Sequence, residues 1–262
     1  MISQWLVTHL PSWLLLLGII VVVAGVAVLL QTFVRRNFPS LKGEEHNDVI
    51  KFAFGVIGFV FAFFLGFVVS AMWGQIGAAD GRARAEGAAG VQLARNAMVF
   101  DEPDTSGIRK ALLDYHQAAL VEWNENAKGG SYPEADQALT RLYSAYEHVQ
   151  ARTDAQKTLL GTSFSNLDSL SQARTQRVLQ AHTDTGPPWS LWAVIWLTSA
   201  LLLLCAIIYD VEKPSTHNTM VGILGVLVAV NLFLVLELSH PFLGEIGTSS
   251  EPLKQVIRQL SG

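Results

Sequence analysis

Four stretches of this sequence, 12–34, 50–73, 189–209 and 219–238, run for twenty or more residues with almost no charge. A helix rises about 1.5 Å per residue, so about 20 residues cross the roughly 30 Å hydrocarbon core of a bilayer. A buried helix of a water-soluble protein is usually shorter and polar along one side. These four are apolar all round. The pattern predicts an all-α integral membrane protein with four transmembrane helices.

Composition sharpens the division. Half of the 262 residues are hydrophobic and 15% are charged. Most of the ionisable residues lie between the second and third stretches. The chain reads as a transmembrane hairpin (1–74), a helical soluble domain (75–187), a second hairpin (188–240) and an amphipathic tail (241–262). The net charge of −4 comes with no basic run, which gives nucleic-acid binding no support. Cys205 is the only cysteine and lies inside the third span, so an intrachain disulfide is excluded. It reads as a small packing residue. Residues 1–12 carry no Lys or Arg, and Arg35-Arg36 follow the first apolar run. That order fits a retained span and not a cleaved signal peptide.

The insert reads as helix throughout. Residues 78–97, rich in Ala and Arg, continue span 2 as one long helix. Pro103 breaks it, and Asp104 or Thr105 is placed to cap the next helix. There Ile108, Leu112, Tyr115, Ala119 and Trp123 recur at helical spacing. Gly129-Gly130-Ser131-Tyr132-Pro133 is a stop and turn. Leu139, Leu142, Tyr143, Tyr146 and Val149 line a third helix. Leu160, Phe164, Leu167, Leu170 and Val178 line a fourth, which Gly186-Pro187-Pro188 follows.

Span 2 is the most informative segment. Gly55, Gly58, Ala62, Gly66, Ser70 and Gly74 recur every three or four residues and form a small-residue stripe. In lipid such stripes let helix backbones approach closely. Phe59, Phe63 and Phe67 run beside it, four apart. They are candidates for a hydrophobic pore gate that closes by dewetting. In span 4, Asn231 and Glu237 are the notable polar residues. A carboxylate in a span usually faces protein or water. Glu237 also lies close enough to the end of the span to reach the headgroups. Glu44, Glu45, His46 and Asp48 crowd the first loop and read as solvated charge, so no metal site is expected. Phosphate-loop, serine-hydrolase and zinc-protease patterns are missing, and no enzymatic activity or cofactor is expected.

An even number of spans places both termini and the insert on one side. Arg35, Arg36 and Lys42 in the first short loop point that loop to the cytoplasm of a cell (inner) membrane. The insert is then extracytoplasmic. Arg82, Arg84, Arg174 and Arg177 flank the insert at its membrane end and pull the other way.

Phe63-Phe64-Leu65-Gly66-Phe67-Val68-Val69, running to Trp73, resembles the second-span segment of the bacterial bestrophin-like domain-of-unknown-function proteins. Ala79 and Glu86, Tyr115, Glu122-Trp123 and Gly129 fall where that family has the same residue types. Gly186-Pro187 and Leu191-Trp192 resemble its entry to span 3. Pro241-Phe242-Leu243-Gly244-Glu245 and Ser250-Glu251-Pro252-Leu253 resemble its tail motifs. Ser239 stands where the family often has an Asp, and the nearest acid is Glu237. The resemblance covers nearly the whole chain and implies four spans with a helical insert. True bestrophins are pentameric anion channels with a hydrophobic neck on the second span. Phe59, Phe63 and Phe67 are similar in kind and spacing to such a neck. Bestrophins keep their helical domain in the cytosol, opposite to the side that the loop charges indicate here.

The leading expectation is a homo-oligomeric ion channel in the lipid bilayer, with span 2 at its axis. By analogy it is a pentamer that conducts an anion such as chloride. A membrane-anchored interaction or sensor protein, whose insert binds a partner, is the alternative from another class. An ion-coupled carrier using Glu237 is the third.

Overall fold

A computed structural model describes residues 2–38, 44–183, 186–211 and 213–261. Among them there are nine helices and no strand. They are α1 (Ile2–His9), α2 (Ser12–Asn37), α3 (Glu44–Ala97), α4 (Asp104–Ala127), α5 (Glu134–Glu147), α6 (Asp154–Thr183), α7 (Trp189–Ile208), α8 (Pro214–Leu238) and α9 (Glu251–Ser261). The chain divides into two compact units. The first comprises Met1–Gly74, Thr185–His240 and Gly244–Ile246, and the second Gln75–Asp184, Pro241–Leu243 and Gly247–Gly262.

The first unit contains the four apolar helices that are long enough to cross a membrane: α2, the first part of α3, α7 and α8. A bilayer core offers no water to backbone amides, so each spanning segment must satisfy its own, as an α-helix does. Prolines mark the helix starts. Pro11 and Pro188 sit in extended conformation just before α2 and α7, and Pro214 opens α8, where its missing N–H is not needed. The α2–α8 crossing is close because Gly225 has no side chain. A Cβ there would stand 2.7 Å from the Ala24 Cα. Around it Ala27, Ala206, Ile207 and Val221 are buried, with Phe54 and Leu224 packed against them.

The loop end of this unit is polar and paired. His217 is buried, with Nδ1 2.9 Å from Gln31 Nε2 and Nε2 3.0 Å from the Ala206 carbonyl. The Asn47 side chain donates to the Asp210 carbonyl at 3.1 Å and accepts from its N–H at 3.0 Å. Asp48 pairs with Lys51 at 3.3 Å. The side chains of Glu44, Glu45 and His46 lie outside the described residues, as does Lys42. Among the described residues no group of metal-ligating side chains assembles.

The second unit is a helical body built from the rest of α3 with α4, α5, α6 and α9. Leu93, Ile108, Leu112, Tyr115, Leu142, Tyr146, Leu167 and Leu170 form its core, together with Leu253 and Val256 from α9. The tail helix is therefore part of this body. It fits because α3 presents glycine there: a Cβ on Gly87 would come 2.8 Å from the Pro252 carbonyl oxygen. The Tyr146 hydroxyl, buried in the core, donates to the Leu93 carbonyl at 2.9 Å. The capping expectation for α4 is corrected. The N-cap residue is Pro103, which has no capping side chain, and it is the Glu102 carboxylate that accepts from the Ser106 N–H at 3.3 Å; the Thr105 hydroxyl instead donates back to the Ala97 and Phe100 carbonyls. The Asp104 carboxylate accepts from the Gln150 N–H. Thr105 thus closes the α3–α4 turn, and Asp104 ties the start of α4 to the α5–α6 connection.

Candidate functional site

On α3, Phe61, Leu65, Val68 and Met72 are buried within the first unit. At about 100° per residue, Phe59, Phe63 and Phe67 point from the opposite side of the same helix. They are 71%, 71% and 68% exposed. The Phe59 and Phe63 rings lie 6.3 Å apart and 17° from parallel. The small-residue stripe is also largely unused inside one chain. A Cβ on Gly58 would meet only the Leu202 Cδ1, at 3.7 Å, and Gly55, Gly66 and Gly74 have nothing within 4 Å. Ala62 and Ser70 are exposed. Beside the stripe runs an apolar groove of about 380 Å³, with Gly58, Ala62, Gly66, Leu202, Leu227 and Asn231 in its walls. Asn231 satisfies its own amide by donating to the Leu227 carbonyl at 2.8 Å, one turn back.

Glu237 does not reach outward. It is 1% exposed, and the Ser12 hydroxyl donates to its Oε1 at 3.0 Å. Its Oε2 is buried without a hydrogen-bond partner. Gly244 sits over that oxygen with φ +76°, a left-handed conformation that favours glycine. A Cβ there would stand 2.7 Å from Oε2 and 3.0 Å from Val7 Cγ1. The glycine of the Pro-Phe-Leu-Gly segment thus has both a conformational and a steric reason. In the second unit, the same segment's Pro241 carbonyl accepts from the Thr248 N–H at 2.7 Å. Phe242 packs edge-on against Trp123 with 5.3 Å between ring centres. His240 lies beyond the end of α8, with its N–H turned back to the Glu237 carbonyl at 3.2 Å.

The second unit also holds a buried charge network. Glu86 on α3, Glu122 on α4, and Arg174 and Arg177 on α6 are all buried. Arg177 grips Glu86 with two bonds, at 2.8 and 3.1 Å, and reaches Glu122 at 3.1 Å. Arg174 binds both Glu122 oxygens and continues at 2.6 Å to Asp136, which is solvent-exposed. The Tyr115 hydroxyl donates to Glu86 at 2.7 Å, and the Trp123 ring lies 5.4 Å from the Arg177 guanidinium. Two carboxylates and two guanidinium groups make the buried part neutral, as burial requires. Burial opposes the charge on Arg177, but Glu86 beside it, joined by Tyr115 and Glu122, more than offsets this and holds its pKa above the ordinary value. Burial, with Glu86 adding to it, pushes the Tyr115 hydroxyl well up. All four oxygens of Glu86 and Glu122 are taken, so the network fastens helices together and presents no spare proton acceptor.

The resemblance alone singled out Glu86 and Glu122, while Tyr115 and Trp123 also stood on an apolar helical stripe, and the structure brings all four into one cluster. Arg174 and Arg177, read from the sequence as flanking charges at the membrane end, belong to that cluster instead. A signal for them existed. They continue the apolar stripe Leu167, Leu170 at three- and four-residue steps, where an unpaired charge would be buried.

Crystal structures of a bacterial bestrophin homologue from Klebsiella pneumoniae, each carrying one substitution, are similar to this chain. One has a TM-score of 0.68 at 14% identity, covering 96% of this chain and 99% of its own. A second has 0.64 at 15% identity, covering 95% and 97%. At such identities the likeness is one of fold. No curated protein matches the chain. The family model of the bestrophin-like domain matches residues 21–253, and the chain belongs to the bestrophin-like family.

Proposed function

We propose that the protein is a homo-oligomeric ion channel in which α3 lines a central pore and Phe59, Phe63 and Phe67 form a hydrophobic constriction. The observation that carries this reading is the unpartnered side of α3. One helix face buries Phe61, Leu65, Val68 and Met72 inside the chain, and the opposite face leaves three phenylalanines about 70% exposed. The open small-residue positions beside them suit close approach of a neighbouring copy. Rings of apolar side chains gate by excluding water, and the ladder supplies three such rings. The pentameric state follows the bestrophin pattern by analogy.

Anion conduction, with chloride as the probe, is the reading of selectivity. Cation pores use rings of Asp or Glu. Between Val49 and Ala79 the chain has no carboxylate, and its one ionisable side chain is Lys51. Current measured after reconstitution, with separate chloride and potassium gradients, tests this. The reversal potential should follow the chloride gradient and ignore the potassium gradient. No current from a well-folded oligomer, across pH and calcium levels, would transfer the weight to the membrane-anchored interaction protein.

The charges of the first loop support a place in the cell (inner) membrane, with Arg35 and Arg36 at its cytoplasmic face and the helical insert outside. A reporter that is active only in the cytoplasm, fused after Gly262, should be silent. A bright reporter would put the insert in the cytosol.

A further inference from the structure

We propose that His116 is a proton-sensitive catch that seats the C-terminal helix α9 on the helical body. His116 lies on α4 and is fully buried. Its Nδ1 stands 2.8 Å from the Leu112 carbonyl. A carbonyl accepts, so that nitrogen carries the hydrogen, and in the neutral ring Nε2 carries the lone pair. Nε2 is buried with no hydrogen-bond partner. It is aimed into the seam where α3 and α9 meet. A Cβ on Gly90 of α3 would stand 2.5 Å from Nε2 and 3.2 Å from the Val256 Cγ2 of α9. A neutral ring fits this dry seam. A protonated one would bring a second N–H and a positive charge against Gly90 and a valine, with no acceptor to receive them.

The surrounding charges do not rescue the cation. On α3, Glu86 lies one turn before Gly90, but Tyr115 and Arg177 hold its oxygens. Arg84 and Arg95 are exposed, and Arg84 pairs with Asp80. On α4, the Tyr115 ring stands edge-on at 5.0 Å, and Arg109 donates to the Leu260 carbonyl of α9 at 3.0 Å. On α9, Glu251, Lys254 and Arg258 are all exposed, and Glu251 pairs with Arg258. The helix therefore turns only apolar groups, Leu253, Val256 and Leu260, toward the body.

The sign follows. Burial lowers the His116 pKa, with the hydrogen bond to the Leu112 carbonyl and then the Glu86 charge pulling the other way. When α9 lifts and water enters, the ring regains an ordinary pKa of about 6.5. Well above that value neither state binds a proton, and seating does not depend on pH. Below it the lifted state binds the proton first, so seating weakens by up to about tenfold per pH unit. The loss stops at the lower pKa of the seated ring.

A nitroxide on Gln259→Cys, in a Cys205→Ala background, reads the seating in the full chain in lipid nanodiscs. The ratio of mobile to immobile label should rise roughly tenfold between pH 7.5 and 5.5 and reverse on return. His116→Gln and His116→Leu should abolish the slope, whichever state each variant favours. Val256→Ala, which thins the packing over the ring, should raise the mobile fraction and move the half-point to higher pH. A flat response in the unmodified seam overturns the proposal. So does the same slope in a folded His116→Gln chain, or an unmoved half-point in Val256→Ala.

Discussion

Phe63→Ala should raise single-channel or bulk ion flux on the order of tenfold or more, because a factor of ten corresponds to about 1.4 kcal/mol of barrier. An apolar ring resists ions chiefly by resisting water, and shrinking the ring removes that resistance in every subunit at once. Phe63 is the middle member of the ladder, so in the proposed pore its truncation would widen the constriction between Phe59 and Phe67. The same change should leave the fold almost untouched. The side chain is 71% exposed, and its stacking partner Phe59 is equally open. A core phenylalanine, by contrast, costs about 3–5 kcal/mol when cut to alanine. Flux and thermal stability measured on the same preparation separate the two cases. Unchanged flux with unchanged stability would place Phe63 against lipid.

Arg177→Met should destabilise the helical body by about 3–5 kcal/mol, as much as cutting away a large core side chain. The guanidinium is 1% exposed and Glu86 is 0% exposed. Removing the cation strands the Glu86 carboxylate in a dry core, with only the Tyr115 hydroxyl left to it, and deprives Glu122 of one of its two arginines. The penalty belongs to the orphaned partner more than to the lost bond, so Arg177→Met combined with Glu86→Gln should recover much of the loss. Asp136→Asn is the control. Arg174 also binds it, but Asp136 is 72% exposed, and a surface pair is worth about 1 kcal/mol or less. Hydrogen exchange of α4 and α6 would rank the three. Equal protection in Arg177→Met and in the unmodified protein would mean that water already enters the network.

The spanning helices were legible because each is announced by an uninterrupted local run, and the same is true of the all-α insert with its Gly- and Pro-marked turns. The charge network was not, for a physical reason. Glu86 and Arg177 are 91 residues apart, and a salt bridge has no period along a sequence. What can be read is phase. Glu86 falls on the buried stripe Ala79, Ala83, Gly90, Leu93; Glu122 on Tyr115, Ala119, Asn126; Arg174 and Arg177 on Leu167, Leu170. Three helices that each carry a charge in a core position must pair those charges with one another. Glu237 offered no comparable signal. Its cover comes from Ser12 and from the Gly244 turn, and the run of residues around a helix end does not say which loop will fold over it. The Phe ladder sits between these cases. Its spacing was plain in the sequence, and its exposure is a property of the packed chain.

The helical body is assembled from three separate pieces of chain, the last beginning at Gly247. A ribosome delivers the first piece early, then the third and fourth spans, and α9 after them. Until α9 arrives, the seam at Gly87 and Gly90 stands open, and the places of Leu253, Val256 and Leu260 in the body are empty. The body therefore completes its fold only after the fourth span has been made. A stop codon just past that span spares all four apolar helices and yet leaves the body unfinished, a distinction that matters when truncation alleles or shortened expression clones of such proteins are interpreted.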